Sequence, residues 1–436
     1  MANINELKEL IDNTESGSVV RKKINHKDYY YYQYYKLNTT KSVYVAENDL
    51  AEVYDAVIKR DERLSKTKEE LSHIRDLPSL SQNSKELTGY LMMGDEVVAS
   101  YNKGELIYID EDKCPLLIKR THNVSLFLSS RVIDAGRTNA RLLKKTLGIK
   151  TSNDVLIAQY SYGATISDNY WFKPLYSKLK YDDICFNNDF YGDLALNGSF
   201  KFLPRFSKHT PQLTLPGSFE KCWKKENGEW WLYKKGNSAN NFSEVFVSKL
   251  AKEISIPTVI YKLSEGYVKT KNFADKYNFE PMMSIAGDDD SYENVFKALK
   301  PYSKEIKKAY LKLIYLDTIV YNVDRHNENC GLLRDRKSGR IVSLAPNFDN
   351  NLALKASGTN LKTNSSKDSL MRLFIKFIKN DSTVKSLIKE IEFKSITRPL
   401  LQKIYNSIQI EDKDKDVIEF VFDRYLYLQK EIEKII

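Results

Sequence analysis

Asp324, Asn329 and Asp349 are the residues whose types and spacing could do chemistry. The first two lie as D-x-x-x-x-N in Tyr321-Asn322-Val323-Asp324-Arg325-His326-Asn327-Glu328-Asn329-Cys330-Gly331. Phosphoryl transfer needs such a set. One carboxylate faces the nucleophilic hydroxyl and takes up its proton, while an amide oxygen helps hold a Mg²⁺ bridging the phosphates. A second metal oxygen should come from a nearby strand end. Arg340 to Leu344 reads as a short buried strand, and Ala345-Pro346-Asn347-Phe348-Asp349-Asn350 follows it.

Taken singly, each of these is an ordinary turn residue. The ordered set of helix, polar loop, strand and acidic turn carries the reading. D-x-x-x-x-N is the catalytic-loop spacing of protein kinases, and Phe-Asp-Asn stands where a kinase has Asp-Phe-Gly. The loop needs an element to position it. An apolar-periodic helix with Tyr310, Leu313, Ile314 and Ile319 on its buried face precedes it.

A kinase also needs a small lobe, and the order of elements from Thr214 supplies one. Thr214-Leu215-Pro216-Gly217-Ser218-Phe219-Glu220-Lys221 reads as a phosphate-covering turn between strands. Glu229 to Gly236 is a strand ending in lysines, and Asn237 to Asn241 leads to a helix over Ser243 to Ala251. Lys234, preferred to Lys235, pairs in this reading with Glu244 so that its ammonium is held against nucleotide phosphates. Thr258 to Leu263 and Gly266 to Thr270 form a further hairpin, and Gly287 to Asp290 a solvated acidic loop. Beyond Asp349 four helices are expected, near Ser369–Lys379, Val384–Ile391, Leu400–Ile408 and Asp414–Ile435. They make an all-helical large lobe.

The bulk properties bound this reading. The 436 residues are 42% hydrophobic and 29% charged, ordinary globular usage for two or three units. No apolar run is long enough for a membrane span, and Met1 to Asn13 is not a signal peptide. Cys114, Cys185, Cys222 and Cys330 have no metal-like or disulfide-framework spacing. A cytoplasmic location with reduced thiols is expected. The net charge of +10 points to an anionic partner, phosphate or nucleic acid.

Residues 1–85 read as a separate basic, tyrosine-rich appendage. Tyr29 to Tyr35 and Lys41 to Val45 make a β-hairpin around Leu37 to Thr40, and Asn48 or Asp49 caps a helix reaching about His73. Basic residues interleaved with tyrosines over 18–45 suit nucleic acid, although a hairpin packed on its own helix fits as well. Leu77 to Glu86 reads as a linker. Residues 88–206 form a second unit, opening with a meander over Tyr90–Met93, Val97–Tyr101 and Glu105–Ile109. An amphipathic helix over Asn139–Leu147, closed by Gly148, follows, and the aromatic Ser161–Phe172 stretch is read as packing. The small lobe spans 207–300 and the large lobe 301–436. The fold class is α+β: a two-lobed kinase-like fold with a mainly helical C-lobe and an N-terminal hairpin–helix appendage.

With these residues placed, the chain resembles the HipA-like serine/threonine kinases of bacterial toxin–antitoxin systems. Asn322 to Leu333 is similar to the family's NxDRHxxNxGF, and Leu344 to Asn350 to its LAPxFDN. Pro216 to Lys221 looks like a divergent phosphate loop. The resemblance implies ATP and Mg²⁺ as cofactors and a protein hydroxyl as acceptor, on an aminoacyl-tRNA synthetase or other translation factor. It implies a DNA-binding antitoxin as partner and no membrane. Asp324 and His326 become catalytic residues, and Asn329 and Asp349 metal ligands. Thr214, Gly217, Ser218, Lys234 and Glu244 would hold ATP, with Thr214 or Ser218 as self-phosphorylation site. The tyrosine-rich arm is not part of the family pattern. Two alternatives stay open: a small-molecule or lipid kinase, since phosphatidylinositol kinases also use a DRHxxN loop, and a pseudokinase-like binding module.

Overall fold

The computed structural model describes residues 3–14, 17–24, 27–36, 39–75, 87–199, 208–362, 365, 368–411 and 413–436. The first unit holds α1 (Ile4–Asp12), β1 (Gly17–Ile24), β2 (Lys27–Lys36), β3 (Thr39–Val45) and α2 (Leu50–Arg75). Its antiparallel sheet runs β1-β2-β3. The expected hairpin is therefore a three-stranded sheet. Val19 pairs with Tyr32, whose ring is fully buried, so the basic run before the tyrosines is itself a strand with one apolar face. Tyr30, Tyr32 and Tyr34 join Leu7, Ile11 and Val53 in a core of the unit's own. Buried Arg60 donates to the Tyr32 hydroxyl at 2.6 Å and the Gly17 carbonyl at 2.8 Å. The unforeseen α1 starts at a capping box of Asn3 and Glu6. The linker expected over Leu77 to Glu86 and the boundary near 206 lie outside the described residues.

The second unit contains β4 (Thr88–Met93), β5 (Glu96–Asn102), β6 (Glu105–Tyr108), α3 (Leu116–Thr121), α4 (Val124–Ser129), α5 (Ala140–Thr146), α6 (Asp154–Gln159), β7 (Tyr170–Pro174), α7 (Tyr181–Ile184) and α8 (Gly192–Asn197). The expected meander is present, extended by β7 in the order β6-β5-β4-β7. β7 comes from the aromatic stretch read as packing, and its Trp171 is fully buried. Gly148 ends the α5 segment at φ +64°, a left-handed position that glycine takes without strain.

The small lobe comprises β8 (Lys221–Glu226), β9 (Glu229–Lys235), α9 (Ser238–Glu253), β10 (Lys262–Ser264) and β11 (Tyr267–Lys271), with strand order β10-β11-β9-β8. The phosphate-loop segment does not lie between strands. A 3₁₀ turn, Pro211–Thr214, leads into it, with the proline at the first turn. The α9 helix starts earlier than expected because Asn237 accepts the Asn240 amide at 2.9 Å.

The large lobe holds β12 (Tyr277–Pro281), α10 (Met283–Ala286), α11 (Tyr292–Ala298), α12 (Lys304–Val320), β13 (Gly331–Asp335), β14 (Ile341–Leu344), α13 (Ser369–Asn380), α14 (Ser382–Glu390), α15 (Arg398–Asn406) and α16 (Asp416–Ile435). The four terminal helices fall within two residues of their expected bounds. The lobe is mainly rather than wholly helical, since β12-β13-β14 forms a sheet. The strand expected as buried, β14, is a half-exposed edge with Val342 at 49%. One large apolar core joins α9 to α12 and the terminal helices.

Candidate active site

Lys234 is the electrostatic centre of the cleft. Alternation along β9 turns Leu232 and Lys234 into the cleft and leaves Lys235 exposed. The Lys234 Nζ donates to Glu244 Oε1 and to Asp349 Oδ1, each at 2.5 Å. Glu244, on α9, is 1% exposed, and its Oε2 accepts the Asn350 amide at 2.8 Å. A buried charge is tolerated only when paired and hydrogen-bonded. Burial by itself would lower the Lys234 ammonium, but Asp349 and Glu244 outweigh it and hold it well above its ordinary value. Burial would raise Asp349, yet Lys234 and then Lys221 bring it down to about 2. Asp349 therefore carries the firm negative charge. Its φ of +57° turns the chain sharply after Phe348.

The catalytic loop is built on α12. The helix ends at Val320, and Tyr321 adopts a left-handed cap at φ +53°. Asp317, 1% exposed near that end, accepts the Asn322 amide at 2.9 Å but would have no counter-charge without Arg325. The Arg325 guanidinium pairs with it in a fork at 2.8 and 3.0 Å. The same group donates to the Asn329 carbonyl at 2.5 Å, the Phe348 carbonyl at 2.8 Å and Asn347 Oδ1 at 2.7 Å. One arginine thus ties the loop of Asp324 and Asn329 to the turn of Asp349. Asn329 donates its amide to the Asp324 carbonyl at 3.0 Å, which leaves its Oδ1 as the free ligand atom. Burial raises Asp324 above the usual carboxylate range, with His326 opposing and Asp349 adding. His326 also lines the cleft, and its ring accepts the Glu328 amide through Nδ1 at 3.2 Å.

Asp324, His326, Asn329, Asp349, Lys234 and Thr214 all line one cleft of about 410 Å³. Gly217 and Ser218 lie on its rim. Gly217 has φ +99°, a left-handed position that favours glycine, and a Cβ there would push aside the end of the Lys221 side chain. Ser218 is exposed. Thr214 is 4% exposed, and its hydroxyl donates to the Pro211 carbonyl at 3.0 Å. Glu244 lies behind Lys234. Asn347, by contrast, is tied to Thr258 through a parallel bridge and acts as scaffold.

Three residues had no assigned role in the sequence reading. Arg325 had a signal, an acid in an apolar helix just before it that needs a partner. Lys221 stands across from Lys234 in the β8–β9 register and lines the cleft. Burial lowers its ammonium to about 8, Asp349 opposing and Lys234 adding to the fall. Arg137 had no signal. It comes from the second unit, 2% exposed, and donates to the carbonyls of Leu215 (2.5 Å), Pro216 (3.0 Å) and Gly217 (2.7 Å). It fixes the backbone of the phosphate loop, and Thr165 and Ser167 of the same unit also line the cleft.

Comparison with known proteins places part of this chain. None of the curated proteins compared matches it. Among solved structures, it is similar to the Helicobacter pylori proinflammatory kinase CtkA, with 17% identity and a TM-score of 0.40, over 49% of this chain and 92% of that one. It is also similar to a chain of the Shewanella oneidensis MR-1 toxin–antitoxin complex of HipA, HipB and operator DNA. There identity is 12% and the TM-score 0.48, over 80% of this chain and 97% of that one. Residues 206–407, which hold every cleft residue expected from the sequence, match the family model described as HipA-like C-terminal domain.

Proposed function

We propose that the chain is an ATP- and Mg²⁺-dependent serine/threonine protein kinase of HipA-like type. The observation that carries this reading is the convergence of Lys234, Asp349, Asp324 and Asn329 on one cleft, with Glu244 paired to Lys234 behind it, in the segment that matches the HipA-like C-terminal domain model. Lys234 and Lys221 present ammonium groups for the β- and γ-phosphates, and Arg137 keeps the covering loop in place. The donor set fits magnesium, which takes one or two protein oxygens and completes its shell with phosphates and water. Asn329 Oδ1 and the ionised Asp349 carboxylate would hold it. When bound, the ion neutralises charge on the phosphates. Asp324 accepts the hydroxyl proton of the acceptor, and burial, which raises it from its ordinary value, makes it a stronger base for that step.

The acceptor in this proposal is a protein hydroxyl, on an aminoacyl-tRNA synthetase or another translation factor. A DNA-binding antitoxin, a bacterial source and a cytoplasmic setting belong to the same proposal. No helix among the described residues is long and apolar enough to cross a membrane. Incubation with γ-labelled ATP·Mg²⁺ and a cell lysate tests the reading. Label on protein, abolished by a chelator and by Asp324→Asn, supports it. Label on lipid or metabolite, or no label at all, rejects it.

A further inference from the structure

We infer that the open face of the N-terminal sheet binds single-stranded nucleic acid. Among the described residues, helices cover the β1-β2-β3 sheet on one side only. Its covered side holds Tyr30, Tyr32 and Tyr34. The strand registers place Lys22, Lys27, Tyr29, Tyr31 and Tyr44 together on the other side. These tyrosines form a contiguous aromatic surface. Tyr31 meets Tyr44 at 5.7 Å between ring centroids, edge to face, and Tyr29 meets Tyr44 at 6.4 Å. Lys22 Nζ stands 5.0 Å from the Tyr31 ring centre. Tyr44 is 37% exposed, and Ile24, beside Lys27 on the same face, 45%.

Charge identifies the occupant. The segment 17–45 carries six Lys or Arg and one Asp. The helical side, residues 3–14 and 46–63, carries nine Asp or Glu and four Lys or Arg. A sheet segment with net positive charge, whose open aromatic face carries Lys22 and Lys27 and no carboxylate among the described residues, suits a polyanion whose units also have flat π-faces. Bases stack on the tyrosines, and Lys22 and Lys27 on the same face neutralise phosphates. A duplex offers the phosphates but keeps its bases inside the stack, so stacking selects unpaired strands. A phosphorylated or acidic protein segment would use the lysines without the rings.

The test uses the full chain and fluorescent 20-mers of mixed sequence, as single-stranded RNA, single-stranded DNA and duplex, read by anisotropy. Single strands are expected to bind more tightly than duplex, with a log–log salt slope of about −1.4, the figure for two phosphate contacts on single strands. Tyr31→Ala with Tyr44→Ala should weaken binding by about tenfold or more, while Tyr31→Phe with Tyr44→Phe retains it, because stacking needs the ring and not the hydroxyl. Lys22→Glu with Lys27→Glu, on solvent-exposed positions, should weaken binding and flatten the salt slope. ATP turnover of these variants should match the parent, and an unchanged far-UV circular dichroism spectrum and thermal unfolding of the N-terminal unit should show that it still folds. No binding at low salt, equal affinity for duplex, or alanine variants that bind as the parent does would each overturn the assignment.

Discussion

The active-site cleft and the N-terminal sheet use charge in opposite ways. At the cleft and in the core of the same part of the chain, these ion pairs are buried and matched. Lys234–Glu244, Arg325–Asp317, Arg334–Glu280 and Arg424–Asp368 all have both side chains at most 7% exposed. On the N-terminal sheet, Arg21 and Asp28 stand 3.5 Å apart at 65% and 36% exposure, and Lys22 and Lys27 lie open. A buried pair costs desolvation and is repaid only by exact geometry and further hydrogen bonds, so it holds atoms in place. An exposed charge adds little to stability and stays free for a partner. The first arrangement suits positioning of reacting groups. The second suits an interface.

The largest expected effect is at the proton acceptor. Asp324→Asn should lower phosphoryl transfer by about 10²–10⁴-fold, the usual worth of a positioned base. Nucleotide binding, measured by calorimetry, should stay close to that of the parent. A variant keeping a tenth of parental turnover would remove Asp324 from this role.

Arg325→Met probes the buried side of the comparison. It leaves Asp317 buried without its partner, so the expected loss is about 3–5 kcal/mol in urea unfolding. The exposed counterpart, Arg21→Met, should change stability by less than about 1 kcal/mol. Equal effects at the two sites would break the contrast.

Arg137→Met should raise KM for ATP while leaving kcat less affected, because the loop carbonyls it holds are covering groups rather than reacting ones. The expected change is about 1–3 kcal/mol in kcat/KM, the cost of stranding buried acceptors. An unchanged KM would mean that the loop holds its shape unaided.

Acid should act on the cleft before the sheet. The folded Asp349 sits at about 2 against an ordinary 3.8. A depressed carboxylate stabilises the fold above its unfolded pKa, and that contribution fades as pH falls from about 4 towards 2. A difference of this size is of order 2 kcal/mol. Asp349→Asn should flatten unfolding stability across that window, and a parallel pH dependence in parent and variant would contradict the pairing with Lys234.

The smallest effect is expected from removing the N-terminal unit. Its core is separate, so a chain starting at Leu87 should keep its ATP turnover. Lost turnover would make the unit part of the kinase core. Self-phosphorylation gives a finer test of the loop. Ser218 is exposed, whereas Thr214 is tucked into its 3₁₀ turn. Phosphate mapped to Thr214 after incubation with ATP would show that the loop leaves the Arg137 clamp, and phosphate confined to Ser218 would show that it need not.

Short-range pattern alone determined a good deal of this protein. The apolar period of α12, its break before Asp324, and the four terminal helices were all readable, because helix periodicity and turn chemistry act within a few residues. So was the ordered approach of Lys234, Glu244, Asp324, Asn329 and Asp349 along the chain. Tertiary structure decided the rest. Whether Lys234 or Lys235 faces Glu244 depends on which side of β9 is covered. The third strand of the N-terminal sheet depends on Val19 meeting Tyr32, a pairing that a basic run does not announce. Arg137 reaches Gly217 across 80 residues, and no local pattern marks an arginine whose partners are backbone carbonyls. Those carbonyls are present at every position of any sequence, so only the fold selects which of them the guanidinium meets.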